Sequence, residues 1–278
     1  MRILVTNDDG IDSIGLHVLA RALRTRGEVV VAAPDSEYSG AGASLGALHV
    51  VQPEIRRASI DGIDEAWSVT GPPALCVMFA RLGAFGRPFD LVVAGINPGA
   101  NVGRAVYHSG TVGAALTARA GGITGVAVSQ AVIGEGVEGQ GAEDVLADQH
   151  WDSAAAVAGL VVGVLLEAVP SQPVVVNVNV PNVEVEDLGG WRLAQVGQVP
   201  PRTLKEVVLV PKLGHEGAFH VRMVWGDAVV LPPETDGGAV ERNQIAVSFL
   251  SPITAEPVPG SSRVADVLNE HFGDGQSD

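Results

Sequence analysis

The chain has 278 residues, 46% of them hydrophobic, enough to bury one sizeable core. Lys and Arg number 17 against 32 Asp and Glu, and the formal charge of −15 argues against the basic tracks that long nucleic acids need. One cysteine, Cys76, excludes an intrachain disulfide framework and a thiolate metal cluster, and with no export signal visible at the start the expectation is a soluble, cytoplasmic protein.

The first predicted strand, Arg2–Thr6, runs straight into the neighbouring acids Asp8 and Asp9. A helix over Ile14–Arg24 follows, capped by Asp12 or Ser13 and stopped by Gly27. Next come strands Glu28–Ala33 and Trp67–Thr70, then a helix Pro73–Leu82, where Pro72 and Pro73 suit a first turn that lacks intrahelical N–H partners. Cys76 falls on its apolar face. Strand Asp90–Ala94, helix Val112–Ala120 ending at Gly121, and strand Gly125–Ser129 continue the alternation. Residues 134–148, acidic and Gly-rich, read as a mobile loop. Helix Trp151–Ala168 carries an apolar run over 154–169 that is too short and too rich in Ala and Gly for a membrane span. Strand Val174–Val178 closes the series.

Short β-branched runs alternating with helices predict an α/β fold, a Rossmann-like, mostly parallel sheet with helices on both faces. Beyond "VVVNVNVPNV" the texture changes. "WRLAQVG", "KEVVLVP", "FHVRMVW" and "IAVSFLSP" alternate between Gly, Pro and charge and predict hairpins. The division expected is a core over 1–185, a hairpin arm over 186–260 that serves oligomerisation and completes the site, and a C-terminal helix and tail over 261–278.

In an open parallel sheet, ligands bind beyond the carboxyl ends of the strands, where strand order reverses. Three such ends carry matching chemistry. Asp8 and Asp9 leave the first strand, "APDSEYSG" brings Ser39 from the second, and "AGINPGANVG" brings Asn97 from the fourth. On the turn after the strand both acids can lean towards one point. Carboxylate, hydroxyl and amide oxygens are hard ligands that favour one Mg²⁺ or Mn²⁺, and such an ion offsets the repulsion between adjacent carboxylates. Ser109, Gly110 and Thr111 stand before the Ala-rich helix, where backbone N–H groups and two hydroxyls offer an anion seat. A cation beside an anion seat is the apparatus of phosphoryl chemistry. Plainer readings exist for each piece: Asp-Asp-Gly as a solvated turn, Ser-Gly-Thr as a cap, His17 and His108 as packing residues. Convergence of separate strand ends favours the metal reading.

The motifs "ILVTNDDGIDSIGL", "VVAAPDSEYSGAG", "LVVAGINPGANVG", "YHSGTVGAA", "VVVNVNVPN" and "ETDGGAVERNQIAVSFLSP" occur in order over most of the chain, which resembles the SurE survival-protein family. The resemblance implies a metal-dependent phosphatase of nucleoside 5′- and 3′-monophosphates, with some members also acting on short polyphosphate, and a C-terminal arm used in dimerisation. Carried over by motif, the metal ligands are Asp8, Asp9, Ser39 and Asn97, and the phosphate-binding stretch is Ser109 to Thr111. Asp8, Asp9 and Asn97 then form the catalytic set, with water as attacker. A nucleoside monophosphate is the expected partner, the assembly a homodimer or a dimer of dimers, and neither a nucleic-acid polymer nor a membrane is expected to bind. The chain departs from the family pattern at Pro72 and Leu75, at Arg104 and Ala105 where acids are usual, at His108 beside Tyr107, and at Ile245. Two other readings compete: a nucleotide-binding relative with weak or no catalysis, and a phospho-acceptor signalling domain. The second needs an acceptor Asp at a central strand end and a later Lys, and the sequence offers neither.

Overall fold

Continuous apolar runs make strands that are buried on both faces, and the period of two decides which helix layer each side chain meets. Strand β1 (Arg2–Thr6) shows the rule: Ile3 and Val5 pack with one helix layer, whereas Leu4 packs with the other. The same split holds in β2 (Glu28–Pro34), where Val29 and Val31 oppose Val30 and Ala32, and in β5 (Leu91–Pro98), where Leu91 and Val93 oppose Val92 and Ala94. Helices α1 (Ile14–Leu23) and α4 (Trp151–Glu167) cover the first face, and α2 (Pro73–Arg81) and α3 (Gly110–Ala120) cover the second. This is a computed structural model, and it describes residues 1–46, 48, 52–132, 146, 148–199, 202–251, 253 and 261–273.

Among the described residues the main sheet has nine strands, in the order β3 (Ile55–Ile60), β4 (Ile63–Val69), β2, β1, β5, β6 (Thr124–Gln130), β7 (Val175–Val180), β11 (Ile245–Leu250) and β8 (Trp191–Leu193). Strands β4, β2, β1, β5, β6 and β7 run parallel, with β3 antiparallel at one edge. From β1 the chain first moves outward through β2 and β4, then returns to the other flank of β1 as β5. The reversal of strand order therefore lies between β1 and β5, and the α/β class and two-faced helix cover are as the sequence predicts. The strand expected at Trp67–Thr70 is the end of a longer hairpin, β3–β4. Its outer strand bears the charged, exposed pair Arg56 and Arg57, which hides the alternation.

The region after β7 is only in part a set of hairpins. "WRL" forms β8 (Trp191–Leu193) and "IAVSFL" forms β11 (Ile245–Leu250). β11 is antiparallel to β7 and parallel to β8, so both extend the main sheet. The detached hairpin is β9 (Arg202–Pro211) with β10 (Phe219–Ala228). One turn of helix, α5 (Asp236–Val240), leads into β11, and α6 (Ser261–Phe272) follows later. Sequence pattern missed this because β8 and β11 are short and each needs a neighbour distant in the chain. The loop expected over 134–148 lies outside the described residues except at 146 and 148, as does the tail from 274. No helix among the described residues is long and apolar enough to cross a membrane.

Candidate active site

The turn after β1 is shaped by Asn7, a buried side chain whose amide nitrogen donates to Gly10 O at 3.1 Å and to Ser13 Oγ at 2.7 Å. Gly10 takes φ +101°, which a side chain would strain. Ser13 in turn accepts from Leu16 N–H and caps α1. Tyr38 N–H donates to Asp8 O at 2.7 Å and brings the Ser39 loop over the turn. Local hydrogen bonds thus hold two adjacent acids at the sheet rim.

Helix α3 meets Asp8 from the other side. Ser109 is its N-cap, accepting from Val112 N–H at 3.1 Å, and Thr111 donates its hydroxyl to Asp8 Oδ1. Both hydroxyls of the Ser-Gly-Thr stretch therefore have protein partners, Ser109 as a cap and Thr111 on the acid. The approach is so close that a Cβ on Gly110 would lie 2.7 Å from Asp8 Cβ and Oδ2. Gly113 admits the Ser39 loop in the same way, since a Cβ there would lie 2.1 Å from Gly42 O. Glycine at 110 and 113 is a packing requirement of the site.

Asn97 comes from the end of β5, after an irregularity in the β5–β6 register between Ala94 and Asn97. The Gly95–Ile96 peptide is cis, and Gly95 has φ +135°. A Cβ at Gly95 would lie 2.3 Å from Val128 O, so that position also has to be glycine. Asn97 Nδ2 donates to Gly99 O at 2.7 Å, which turns the amide oxygen the other way. Four residues on, Asn101 is a hub. Its N–H donates to Asn179 Oδ1 at 2.7 Å, its carbonyl accepts from Asn177 Nδ2 at 2.9 Å and Asn179 Nδ2 at 3.2 Å, and its side chain donates to Ser129 Oγ at 2.8 Å. Behind it, the buried carboxylate of Asp236 accepts from Gly103 N–H at 2.9 Å, Gly197 N–H at 3.0 Å and Gly237 N–H at 2.8 Å.

A cavity of about 200 Å³ results, with Asp8, Ser39, Asn97, Asn101, His108 and Ser109 in its wall. Of the residues singled out by sequence, Asp8, Ser39, Asn97 and Ser109 meet here. Asp9 does not share this wall. It lines an adjoining recess of about 260 Å³ between α1 and α4. Gly110 and Thr111 sit beneath the cavity against Asp8, and His108, from the departure beside Tyr107, is exposed at its mouth.

Burial pushes the Asp8 carboxyl above its ordinary value, with the Thr111 hydroxyl and the N–H groups of Thr111 and Gly110 offsetting part of the rise. Asp9 is pushed well above, first by burial, then by the charges of Asp8 and Glu37. Asp9 Oδ2 is buried with no hydrogen-bond donor. Two carboxylates held at a loss, one with an unbonded oxygen, and a hydroxyl and an amide oxygen close by fit a hard divalent cation. No group of three His, Cys, Asp or Glu suited to a metal occurs among the described residues. The donor set is two acids plus neutral oxygens, which suits Mg²⁺ or Mn²⁺ better than Zn²⁺.

Asn7 and Asp236 escaped the sequence reading, as did the anchoring role of Asn177 and Asn179. The last two had a visible signal. Asn at alternate positions of the apolar strand "VVVNVNV" places two amides on one buried face, where they need partners.

Residues 3–202 match the family described as "Survival protein SurE". A relative from Legionella pneumophila named 5′-nucleotidase SurE is 39% identical over 198 residues, 71% of this chain and 70% of its own length. One of the same name from Dehalococcoides mccartyi is 37% identical over 254 residues, 90% of this chain and 88% of its own. The crystal structure of the SurE protein from Aquifex aeolicus superposes with a TM-score of 0.72 at 27% identity, covering 98% of this chain and all of that one. With the motifs in order, the strand-end cavity and the match over most of its length, the chain belongs to the SurE family.

Proposed function

We propose that the protein is a phosphomonoesterase that hydrolyses nucleoside 5′- and 3′-monophosphates with the help of one divalent ion. The observation that carries this is the meeting of Asp8, Ser39, Asn97 and Ser109 around one cavity, with glycine at 110 where any side chain would displace the Asp8 carboxylate. The relatives named 5′-nucleotidase support the same chemistry. Asp8, Asp9, Ser39 and Asn97 would hold Mg²⁺ or Mn²⁺, which supplies Lewis acidity towards a phosphate oxygen and a water.

The protein's own groups do the positioning. The N-terminal turn of α3, from Ser109 through Thr111, presents its positive end to the cavity and draws a phosphate there. Those same dipoles would gain strength as negative charge grows on the transferring group. Thr111 fixes the Asp8 carboxylate, and Asn101 fixes the loop that carries Asn97. Water attacks phosphorus, the P–O bond to the leaving group breaks, and alcohol and inorganic phosphate result. Neither signalling requirement appears in the strands concerned, because β5 ends at Asn97-Pro98 and β6 at Ser129-Gln130.

The hairpin supports a dimeric assembly. Exposed Val207 and Leu209 face Met223 and Val221 across β9–β10, an apolar strip that suits a second copy of the chain in a dimer. The decisive assay is release of phosphate from AMP and from 3′-AMP with Mn²⁺, with short polyphosphate screened alongside. Loss with EDTA and recovery with added Mn²⁺ or Mg²⁺ is the expected result. Turnover indifferent to chelation refutes the proposal.

A further inference from the structure

The recess beside Asp9 has a chemistry unlike that of the phosphate cavity. Its walls are Ile96 and Pro98 from the end of β5, Trp151 at the first position of α4, and Ile14 at the first position of α1. Ile14 is 59% exposed, so an apolar side chain stands at the mouth with little of its own surface buried. The charged groups on the rim are Asp9, Asp12 and Glu37, all acceptors and none cationic. Asp9 joins the two compartments. Its Oδ2 is buried and without a hydrogen-bond donor, and it adjoins Asp8, which lines the phosphate cavity.

A phosphate drawn to the cavity of Asp8 and Ser109 would have the Asp9 recess beside it for its ester group. We propose that the recess is the leaving-group subsite, taking a neutral nucleoside whose aromatic base lies against Trp151 and Ile14 while hydroxyl and amino donors turn to Asp12 and Glu37. This deepens the phosphomonoesterase reading and rests on it. Apolar walls that include a Trp suit a base, since stacking on an aromatic ring tolerates any base. An acceptor-only rim suits a sugar's hydroxyls and repels a further phosphate. Short polyphosphate is therefore a poor substrate beside a nucleotide.

The test uses the full chain with Mn²⁺ and three substrates: AMP, glycerol 2-phosphate and tripolyphosphate. Trp151→Ala raises KM for AMP about ten-fold or more, the loss expected for one base-stacking contact, and leaves glycerol 2-phosphate within about two-fold. Trp151→Phe restores most of the AMP value. Because Trp151 also packs near Gly15, Ile14→Asn provides a second variant at an exposed position and shifts the AMP-to-glycerol ratio the same way. Adenosine inhibits glycerol 2-phosphate hydrolysis competitively in the wild type and much more weakly in Trp151→Ala. Equal effects on AMP and glycerol 2-phosphate, or tripolyphosphate turned over as efficiently as AMP, overturn the subsite while leaving a phosphatase. No turnover of any substrate overturns the phosphatase reading instead. Equilibrium dialysis of adenosine then decides the recess alone, with equal retention by wild type and Trp151→Ala overturning it.

Discussion

Gly110→Ala separates what the helix wants from what the site wants. Alanine is the better helix former by up to about 1 kcal/mol, so the change does not weaken α3 through propensity. The new Cβ, however, would lie 2.7 Å from Asp8 Cβ and Oδ2 and 3.0 Å from Cγ. Ordinary carbon contacts are about 3.5–4.0 Å, so the carboxylate has to retreat by about 1 Å. It has little freedom to swing aside, because Thr111 and the first N–H groups of α3 grip it. A misplacement of that size at a reacting centre costs about 10²-fold in rate. The expected result is a protein with wild-type circular dichroism and a stability lowered by about 1–3 kcal/mol through overpacking, whose kcat/KM for AMP falls by about two orders of magnitude. Mn²⁺ affinity, read by isothermal titration calorimetry, should weaken in parallel. Undiminished turnover together with unaltered Mn²⁺ binding would refute the claim that Asp8 must stay where Gly110 lets it sit.

Three further predictions probe neighbouring features. Asp9 has its pKa raised in the folded state, so without metal its stabilising contribution is full below the unfolded carboxylate range and is lost as pH rises through the folded value. In EDTA, Asp9→Asn should therefore melt higher than wild type at pH 8, with the gap closing near pH 4; a gap independent of pH contradicts this. Asp236→Ala leaves three buried N–H groups without their acceptor and should cost about 3 kcal/mol in urea unfolding, whereas a loss below about 1 kcal/mol would mean that the carboxylate is not needed there. Cys76 is fully buried in α2 and burial pushes its thiol far up, so Ellman's reagent should find no fast-reacting thiol until denaturant is added.

Parallel-sheet strands and the three strand ends were legible because their signals are local. An apolar run such as Ile3-Leu4-Val5 announces a buried strand, and the acids that follow must lie at its end. The shape of the turn that carries Asp8 and Asp9 was not legible, since it depends on how Asn7 bonds to Gly10 and Ser13. Ser109 and Thr111 were read as open donors for an anion, yet their hydroxyls serve a helix end and a carboxylate that is about a hundred residues away in sequence. Asp236 stayed hidden for the same reason: nothing near "ETDGG" says that Gly103 and Gly197 will need it. Strands β8 and β11 looked like arm segments because the pairing that makes them part of the main sheet is between stretches far apart in the chain.

The three-way grip of Asp236 has a bearing on biosynthesis. Gly103 opens the turn that leads to Ser109, and the carboxylate that holds it emerges from the ribosome only after another 133 residues. A nascent chain released at β7 would already own every side chain of the phosphate cavity, yet Gly103 would still lack its acceptor and β7 would still lack β11. The turn that leads to Ser109 is thus fully held only once residues 236–250 have been made.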